Sequence, residues 1–177
     1  MFFALWPDDE AVAQLSALAH QAAGGGGRLM RPDSLHLTLA FIGSVTPTGI
    51  VELERIAAQV HAEAFELTLD RLGCWPQSGI LWAGCTQLQA SLQVLSERLA
   101  AALDAAGFKT DAHAGSGLVP HVTLARRIHC PALPPLETPI RWRVAEFALV
   151  ESRLQPAGGN YQTLARFGLD AAGAAAD

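Results

Sequence analysis

Alternation of apolar and polar side chains marks several short segments of the chain. Leu35, Leu37 and Leu39 take every second position in one of them, and Phe-Glu-Leu-Thr-Leu at 65–69 repeats the pattern. A period of two residues is typical of a strand with one buried face. Together with short apolar runs bounded by turn residues, it predicts strands at 2–6, 28–30, 35–41, 65–69, 80–83, 119–126, 142–151 and 161–169.

Three longer segments carry apolar residues at helical spacing instead. The first begins with the acidic turn 8–10, which favours a helix N-terminus, and ends at the glycine run 24–27. The second opens at Pro47 and extends to Val60, and the third covers 88–106. Helices interspersed with hairpin-like pairs of strands favour an α+β fold with antiparallel sheets.

Composition and charge narrow the class of protein. With 177 residues, half of them hydrophobic, we expect one domain over 1–170 and an Ala-rich tail at 171–177. The net charge of -5 excludes a generic basic nucleic-acid coat, although a local arginine cluster could bind a small anion. The N-terminus lacks a basic leader, and no apolar stretch approaches the roughly 20 residues that span a bilayer. We therefore expect a cytoplasmic protein that does not bind membranes.

The remaining composition argues against several kinds of site. Cys74, Cys85 and Cys130 have unrelated spacings, so we expect three reduced, separate thiols in a reducing compartment. The chain has no G-x-S-x-G elbow, no phosphate-binding G-x-x-x-x-G-K-[ST] loop and no H-E-x-x-H helix. We therefore expect neither a metal ion nor another cofactor.

One local sequence occurs twice. His36-Leu37-Thr38-Leu39-Ala40 and the segment 121–125, His-Val-Thr-Leu-Ala, share His, Thr, Leu and Ala in register. In a strand the His and the Thr of each copy point to the same face, while the intervening apolar residues face the core. A single histidine in an apolar strand is more often a structural core residue, but the repetition favours a functional one.

Two histidines on facing strands supply the groups for acid–base chemistry. Imidazoles with a pKa near 6.5 can hold opposite protonation states near neutrality, so one can act as a general base and the other as a general acid. An in-line displacement at phosphorus needs such groups on opposite sides. Two threonine hydroxyls can then donate hydrogen bonds to the non-bridging oxygens.

The motif-bearing segments resemble those of a known family. Residues 31–43, Arg-Pro-Asp-Ser-Leu-His-Leu-Thr-Leu-Ala-Phe-Ile-Gly, are similar to the first motif of the two-histidine (2H) phosphoesterases, and 120–126 to the second. Strings at 2–7, 80–84, 149–152 and 161–164 extend the resemblance, over nearly the whole chain, to the bacterial RNA 2′,3′-cyclic phosphodiesterases, formerly called 2′-5′ RNA ligases. It implies a bilobal fold of two pseudo-symmetric lobes, each with an antiparallel sheet and outer helices, around a central cleft.

The resemblance also implies the chemistry and its residues. The expected reaction is metal-independent hydrolysis of a terminal 2′,3′-cyclic phosphate on RNA to a 2′-phosphate. Carried over residue by residue, His36 is the proton donor and His121 the proton acceptor, while Thr38 and Thr123 bind the phosphate. The expected partners are RNA ends or nucleotides with a 2′,3′-cyclic phosphate, and we expect a monomer with no obligate protein partner.

Arginine and aromatic side chains are candidates for further substrate contacts. The family-like position is Arg126, but strict strand alternation from His121 places Arg127 on the side of the motif unless the strand bulges. Phe41 is a candidate for stacking on a base. The sequence alone does not decide which of these three side chains contacts the substrate.

Other functions share the same motifs. The site could act on a 2′-5′ phosphodiester, joining or cleaving it, or on a small cyclic nucleotide. A module that binds RNA ends without turnover is a different class of function. Two histidines argue against it, because binding alone would tolerate Lys or Arg in their place.

Overall fold

The computed structural model describes residues 1–24, 26–110, 119–130, 132–133, 135–155 and 158–171. Within these residues the helices are α1 (Asp9–Ala23), α2 (Pro47–Ala57) and α3 (Ala90–Ala105), and Pro32–Ser34 forms one 3-10 turn. The strands are β1 (Phe2–Leu5), β2 (Arg28–Leu29), β3 (Leu37–Phe41), β4 (Phe65–Leu69), β5 (Arg71–Trp75), β6 (Ile80–Gly84), β7 (His121–Arg126), β8 (Ile140–Val144), β9 (Glu146–Gln155) and β10 (Gly158–Gly168). Of the expected Ala-rich tail, 172–177 lie outside the described residues.

Capping residues explain where the helices begin and end. The Asp8 carboxylate accepts a hydrogen bond from the backbone N–H of Ala11 at 2.8 Å and so caps α1. The Thr46 hydroxyl accepts one from the N–H of Gly49 at 3.2 Å at the start of α2. Gly24 ends α1 with φ 56°, a left-handed conformation that glycine adopts without steric cost.

Most of the strands form one antiparallel sheet. Its order is β10-β9-β1-β3-β7-β6-β5, and β2 pairs with β7 beside this path, while β4 and β8 form a separate two-stranded sheet. Leu37 on β3 pairs with Val122 on β7, and this pair joins the two motif-bearing halves edge to edge. The predicted α+β class with antiparallel sheets is confirmed.

The two faces of the large sheet have different surroundings. One face packs against the helices, with α1 on β7 and α3 on β3, and forms the main hydrophobic core. The opposite face carries a smaller apolar cluster of Phe2, Ala4, Ala148 and Val150, flanked by Trp6 and Tyr161. We call this second side, the one to which Phe2 and Ala4 point, the site face.

Two strand predictions need correction. The single strand expected at 142–151 is two strands, because 140–144 alternates and pairs with β4, whereas 146–155 pairs with β1 and β10 in the large sheet. Alternation in the sequence does not predict strand β5, since Gly73 and Cys74 interrupt its pattern. Gly73 is required there: a Cβ atom at this position would lie 2.0 Å from Cζ2 of Trp82 on the neighbouring strand.

The prediction of three separate thiols is wrong. Cys74 and Cys130 form a disulfide, with Cα atoms 5.7 Å apart and a separation of 56 positions in sequence. The bond ties β5 to the segment that follows β7, a proximity that only the sheet order creates. Cys85 stays a free thiol whose Sγ donates to the Thr68 carbonyl, and burial raises its pKa to about 11.

Candidate active site

Each of the two motif histidines is held by a hydrogen bond from its ring to a backbone carbonyl two residues earlier. His36 Nδ1 lies 2.8 Å from the carbonyl oxygen of Ser34, and His121 Nδ1 lies 2.9 Å from that of Val119. A carbonyl oxygen only accepts, so Nδ1 is the protonated nitrogen in both rings. In each case Nε2 is therefore the nitrogen that can take up or release a proton.

The strand register brings both motifs to one place. Leu37 and Val122 are Cα partners and face the main core. Continuing the antiparallel register by one residue on each side sets His36 opposite Thr123 and Thr38 opposite His121. Facing side chains on such strands lie about 5 Å apart at Cβ, and diagonal ones about 7–8 Å. The four residues thus form a compact quadrilateral with the two histidines at opposite corners.

Aromatic rings enclose His36. Its ring stacks on Phe2 at a centroid distance of 4.9 Å, meets Tyr161 edge-on at 4.9 Å and lies 5.3 Å from Trp6. Burial lowers the pKa of His36 to about 4; the bond to Ser34 opposes this shift, and the nearby Arg126 and His121 add to it. The neutral form of this imidazole is therefore favoured in the structure.

The surroundings of His121 are also aromatic but more open. Its ring meets Trp75 edge-on at a centroid distance of 4.7 Å and lies 6.4 Å from Trp82. His121 is half-buried. The Trp82 ring lies over Gly73 and Gly84, and a Cβ atom at either position would collide with this ring. The two histidines thus make the same type of hydrogen bond to the backbone but differ in burial.

A bulge decides which arginine joins the site face. Trp82 pairs with Thr123 but Leu81 pairs with Ala125, so Leu124 is an extra residue in β7. The bulge reverses the alternation, and Arg126 follows Thr123 on the site face. The geometric preference for Arg127 is therefore wrong: it lies beyond the strand in a left-handed conformation with φ 57°.

The first motif has the matching bulge. Phe3 pairs with Ala40 and Ala4 with Thr38, which leaves Leu39 as the extra residue of β3. Phe41 then pairs with Phe2 and shares the site face, with 46% of its surface exposed. Phe41 and Arg126 occupy equivalent positions in the two motifs.

The structure thus gathers six of the seven predicted residues on one face and leaves Arg127 at its margin. Sequence reasoning missed the aromatic neighbours Trp6, Trp75 and Tyr161, which carry no repeated pattern. It also missed Arg28, which pairs with Arg126 across β2 and β7. A cavity of about 500 Å³ between α1 and 135–138 contains none of the predicted site residues.

Comparisons with known proteins show which family the chain belongs to. Residues 5–82 match the family model of the LigT-like phosphoesterases. The RNA 2′,3′-cyclic phosphodiesterase of Escherichia coli K12 is 32% identical over 145 residues, which cover 81% of this chain and 80% of that protein. The chain belongs to the LigT-like phosphoesterase family. The enzyme of the same name from Thermus thermophilus is 29% identical over 178 residues, which cover 96% of this LigT-like chain and 89% of the Thermus protein.

Solved structures of LigT-like phosphoesterases have the same fold. A crystal structure of Escherichia coli LigT complexed with 3′-AMP superposes with a TM-score of 0.85 at 29% identity, covering 95% of this chain and 96% of that one. A crystal structure described as a phosphoesterase gives a TM-score of 0.86 at 30% identity, covering 95% and 96%.

Neither a metal-binding cluster nor a membrane-spanning helix occurs in the part of the chain that the structure describes. Among these residues, no three His, Cys, Asp or Glu side chains are grouped so that they could hold a metal ion. None of the helices in the described ranges is long and apolar enough to cross a membrane.

Proposed function

We propose that this LigT-like chain hydrolyses the terminal 2′,3′-cyclic phosphate of RNA to a 2′-phosphate. The observation that carries the proposal is the quadrilateral of two histidines and two threonines set by the β3–β7 register. The names of the curated relatives support the choice of substrate. The expected partners are RNA ends and nucleotides that carry this cyclic group, and the proposed location is the cytoplasm.

In the proposed mechanism the histidines act on opposite sides of phosphorus. His121 accepts a proton from the attacking water, and His36 donates one to the 3′ oxygen as its bond to phosphorus breaks. Thr38 and Thr123 donate hydrogen bonds to the two non-bridging oxygens, where negative charge grows in the transition state. His121 gains one proton and His36 loses one in each turnover. Before the next turnover His121 must release its proton and His36 must take one up.

Burial of His36 sets a condition on this mechanism. An imidazole can act as the proton donor only in its charged form, but burial lowers the pKa of His36 to about 4. A phosphodiester carries a negative charge, and a nearby negative charge favours the imidazolium. We therefore propose that the substrate itself raises the pKa of His36, so that the donor is charged mainly when a phosphate is bound.

Phe41 and Arg126 are the proposed further contacts. Both lie on the site face at the ends of the two motifs, where one offers an exposed aromatic ring and the other a guanidinium. A ring can stack on a base, and a guanidinium can pair with a phosphate. Arg127, off the strand, is not proposed as a contact of the reacting group.

Phosphorus NMR of a cyclic nucleotide tests the proposal directly. The chain should convert a 2′,3′-cyclic mononucleotide into the 2′-phosphate alone, with the His36→Ala/His121→Ala double variant as the inactive control. Formation of the 3′-phosphate would reverse the assignment of the leaving oxygen. Tight binding without any turnover would instead indicate a module that recognises RNA ends.

A further inference from the structure

Three arginines lie at the C-terminal end of β7 and on the adjacent strand β2. Arg28 on β2 and Arg126 on β7 are Cα partners, so their side chains share one face, and Arg127 follows directly. All three are exposed. We call Arg28, Arg126 and Arg127 the arginine patch.

Among the described residues the patch has no acidic partner, unlike about half of the chain's arginines. In the described part of the chain five arginines form ion pairs, namely Arg31, Arg55, Arg141, Arg153 and Arg166, whereas Arg71, Arg98 and Arg143 form none. Among the described residues, no carboxylate lies within 4.0 Å of a guanidinium of the patch. Like charges directly opposite each other destabilise a sheet, so the Arg28–Arg126 pair is unfavourable for the fold alone.

Backbone geometry adds a second cost at the same place. Arg127 has φ 57°, a left-handed conformation that side chains other than glycine adopt rarely. Across from it, Gly27 has φ 71°, and a Cβ there would lie 2.8 Å from the Arg126 carbonyl oxygen. The chain thus holds an arginine, against its backbone preference, in a tight turn beside two other cations.

The patch lies on the His36 side of the site. On β6, Ile80 pairs with Arg126 and Trp82 pairs with Thr123. Because these two β6 residues are two positions apart, Arg126 lies about 7 Å further along the site face than Thr123. Thr123 is opposite His36 in the strand register. The charge of Arg126 also acts on His36 directly, since it contributes to the lowered pKa of that imidazole.

We propose that the arginine patch binds the phosphodiester backbone of the RNA that precedes the cyclic end. This inference rests on the proposed function, in which His36 faces the leaving oxygen of the terminal ribose. That ribose, and the chain attached to its 5′ side, then lie on the His36 side of phosphorus, where the patch begins. Guanidinium groups without internal partners can pair with successive phosphates.

The site therefore favours an oligonucleotide over a mononucleotide with the same cyclic end. The extra affinity is electrostatic and falls with salt, because each phosphate that is neutralised releases counterions. A cyclic mononucleotide has no upstream phosphate and gains nothing from Arg28 or Arg127. The patch makes this otherwise acidic protein locally basic at the point where an RNA chain leaves the site.

The test compares two substrates in matched variants. Arg28→Gln and Arg127→Gln remove a charge but keep a polar side chain of similar length, and Arg143→Gln is the control, an exposed strand arginine on β8. We measure kcat/KM for a short oligoribonucleotide ending in a 2′,3′-cyclic phosphate and for the cyclic mononucleotide. In the Arg28→Gln/Arg127→Gln variant the ratio of the two should fall roughly tenfold, the loss expected when two exposed, solvent-screened ion pairs with phosphate are removed.

Salt dependence and binding give independent readouts. The slope of log kcat/KM for the oligonucleotide against log salt should become less steep by about 0.7 for each phosphate that the variant no longer neutralises. An equal fall on both substrates would mean that the arginines only support the fold, and an unchanged ratio would refute the patch. Fluorescence anisotropy of the oligonucleotide with wild type and variants separates this inference from the proposed function. An oligonucleotide that binds more weakly to the variant supports the patch even if the wild type hydrolyses neither substrate.

Discussion

Leu37 and Val122 are Cα partners at the point where β3 meets β7, and both side chains are completely buried. Because they face the main core, the residues before and after each of them face the other side of the sheet. Each of the two partners is flanked by one histidine and one threonine. The geometry of the site is thus set by a single pair of apolar residues that take no part in the chemistry.

The threonine hydroxyls should matter for turnover more than for stability. Thr38→Ala and Thr123→Ala each remove one proposed donor to the phosphate, a loss that typically costs roughly 100- to 1000-fold in kcat. Thr86→Ala, an exposed threonine between β6 and α3, is the control. Steady-state kinetics on a cyclic mononucleotide checks this, and wild-type rates in both site variants would place the hydroxyls outside the reaction.

The disulfide should contribute strongly to stability. Cys74 and Cys130 close a loop of 56 residues, for which the entropy model gives roughly 4 kcal/mol, within the usual range of about 0–5 kcal/mol. Cys74→Ser/Cys130→Ser should therefore lower the free energy of unfolding in urea by about 2–4 kcal/mol, with Cys85→Ser as the control. Trp75 is adjacent to Cys74 and contacts His121, so kcat should fall as well. Equal stability with and without a reductant would contradict the bond.

Burial of His36 should make stability depend on pH in the acid range. Its folded pKa of about 4 lies below the usual value of 6.5, so the unfolded chain binds a proton that the folded ring resists. The free energy of unfolding should decrease as pH falls from about 6.5 to about 4, with a slope of up to about 1.4 kcal/mol per pH unit. His36→Gln should flatten this part of the curve. An identical slope in that variant would show that other groups cause it.

The repeated motif and most helices and strands could be predicted from sequence, because alternation and caps are local signals. The choice between Arg126 and Arg127 could not, since it depends on the bulge at Leu124. That bulge appears only when β6 and β7 are paired. The contact between Cys74 and Cys130 is likewise a consequence of the sheet order. Features that arise from the pairing of distant strands leave little trace in a single sequence.

Hydrolysis should not depend on a metal ion. In the proposed mechanism protons move between water, two imidazoles and the leaving oxygen, and the threonines stabilise the charge on phosphate. Exhaustive chelation with EDTA, followed by an assay on a cyclic mononucleotide, should leave kcat/KM close to that of the untreated protein. Loss of activity that zinc or manganese restores would refute the two-histidine mechanism.

The pH dependence of kcat/KM shows whether one histidine acts as base while the other acts as acid. Wild type should give a bell-shaped profile whose two apparent pKa values belong to the coupled pair. His121→Ala should lose the acidic limb and His36→Ala the alkaline limb, each with a fall of roughly 100-fold or more. Loss of the alkaline limb in His121→Ala and of the acidic limb in His36→Ala would instead make His121 the acid and His36 the base. Full activity with an unchanged bell in either variant would show that the replaced histidine takes no part in proton transfer.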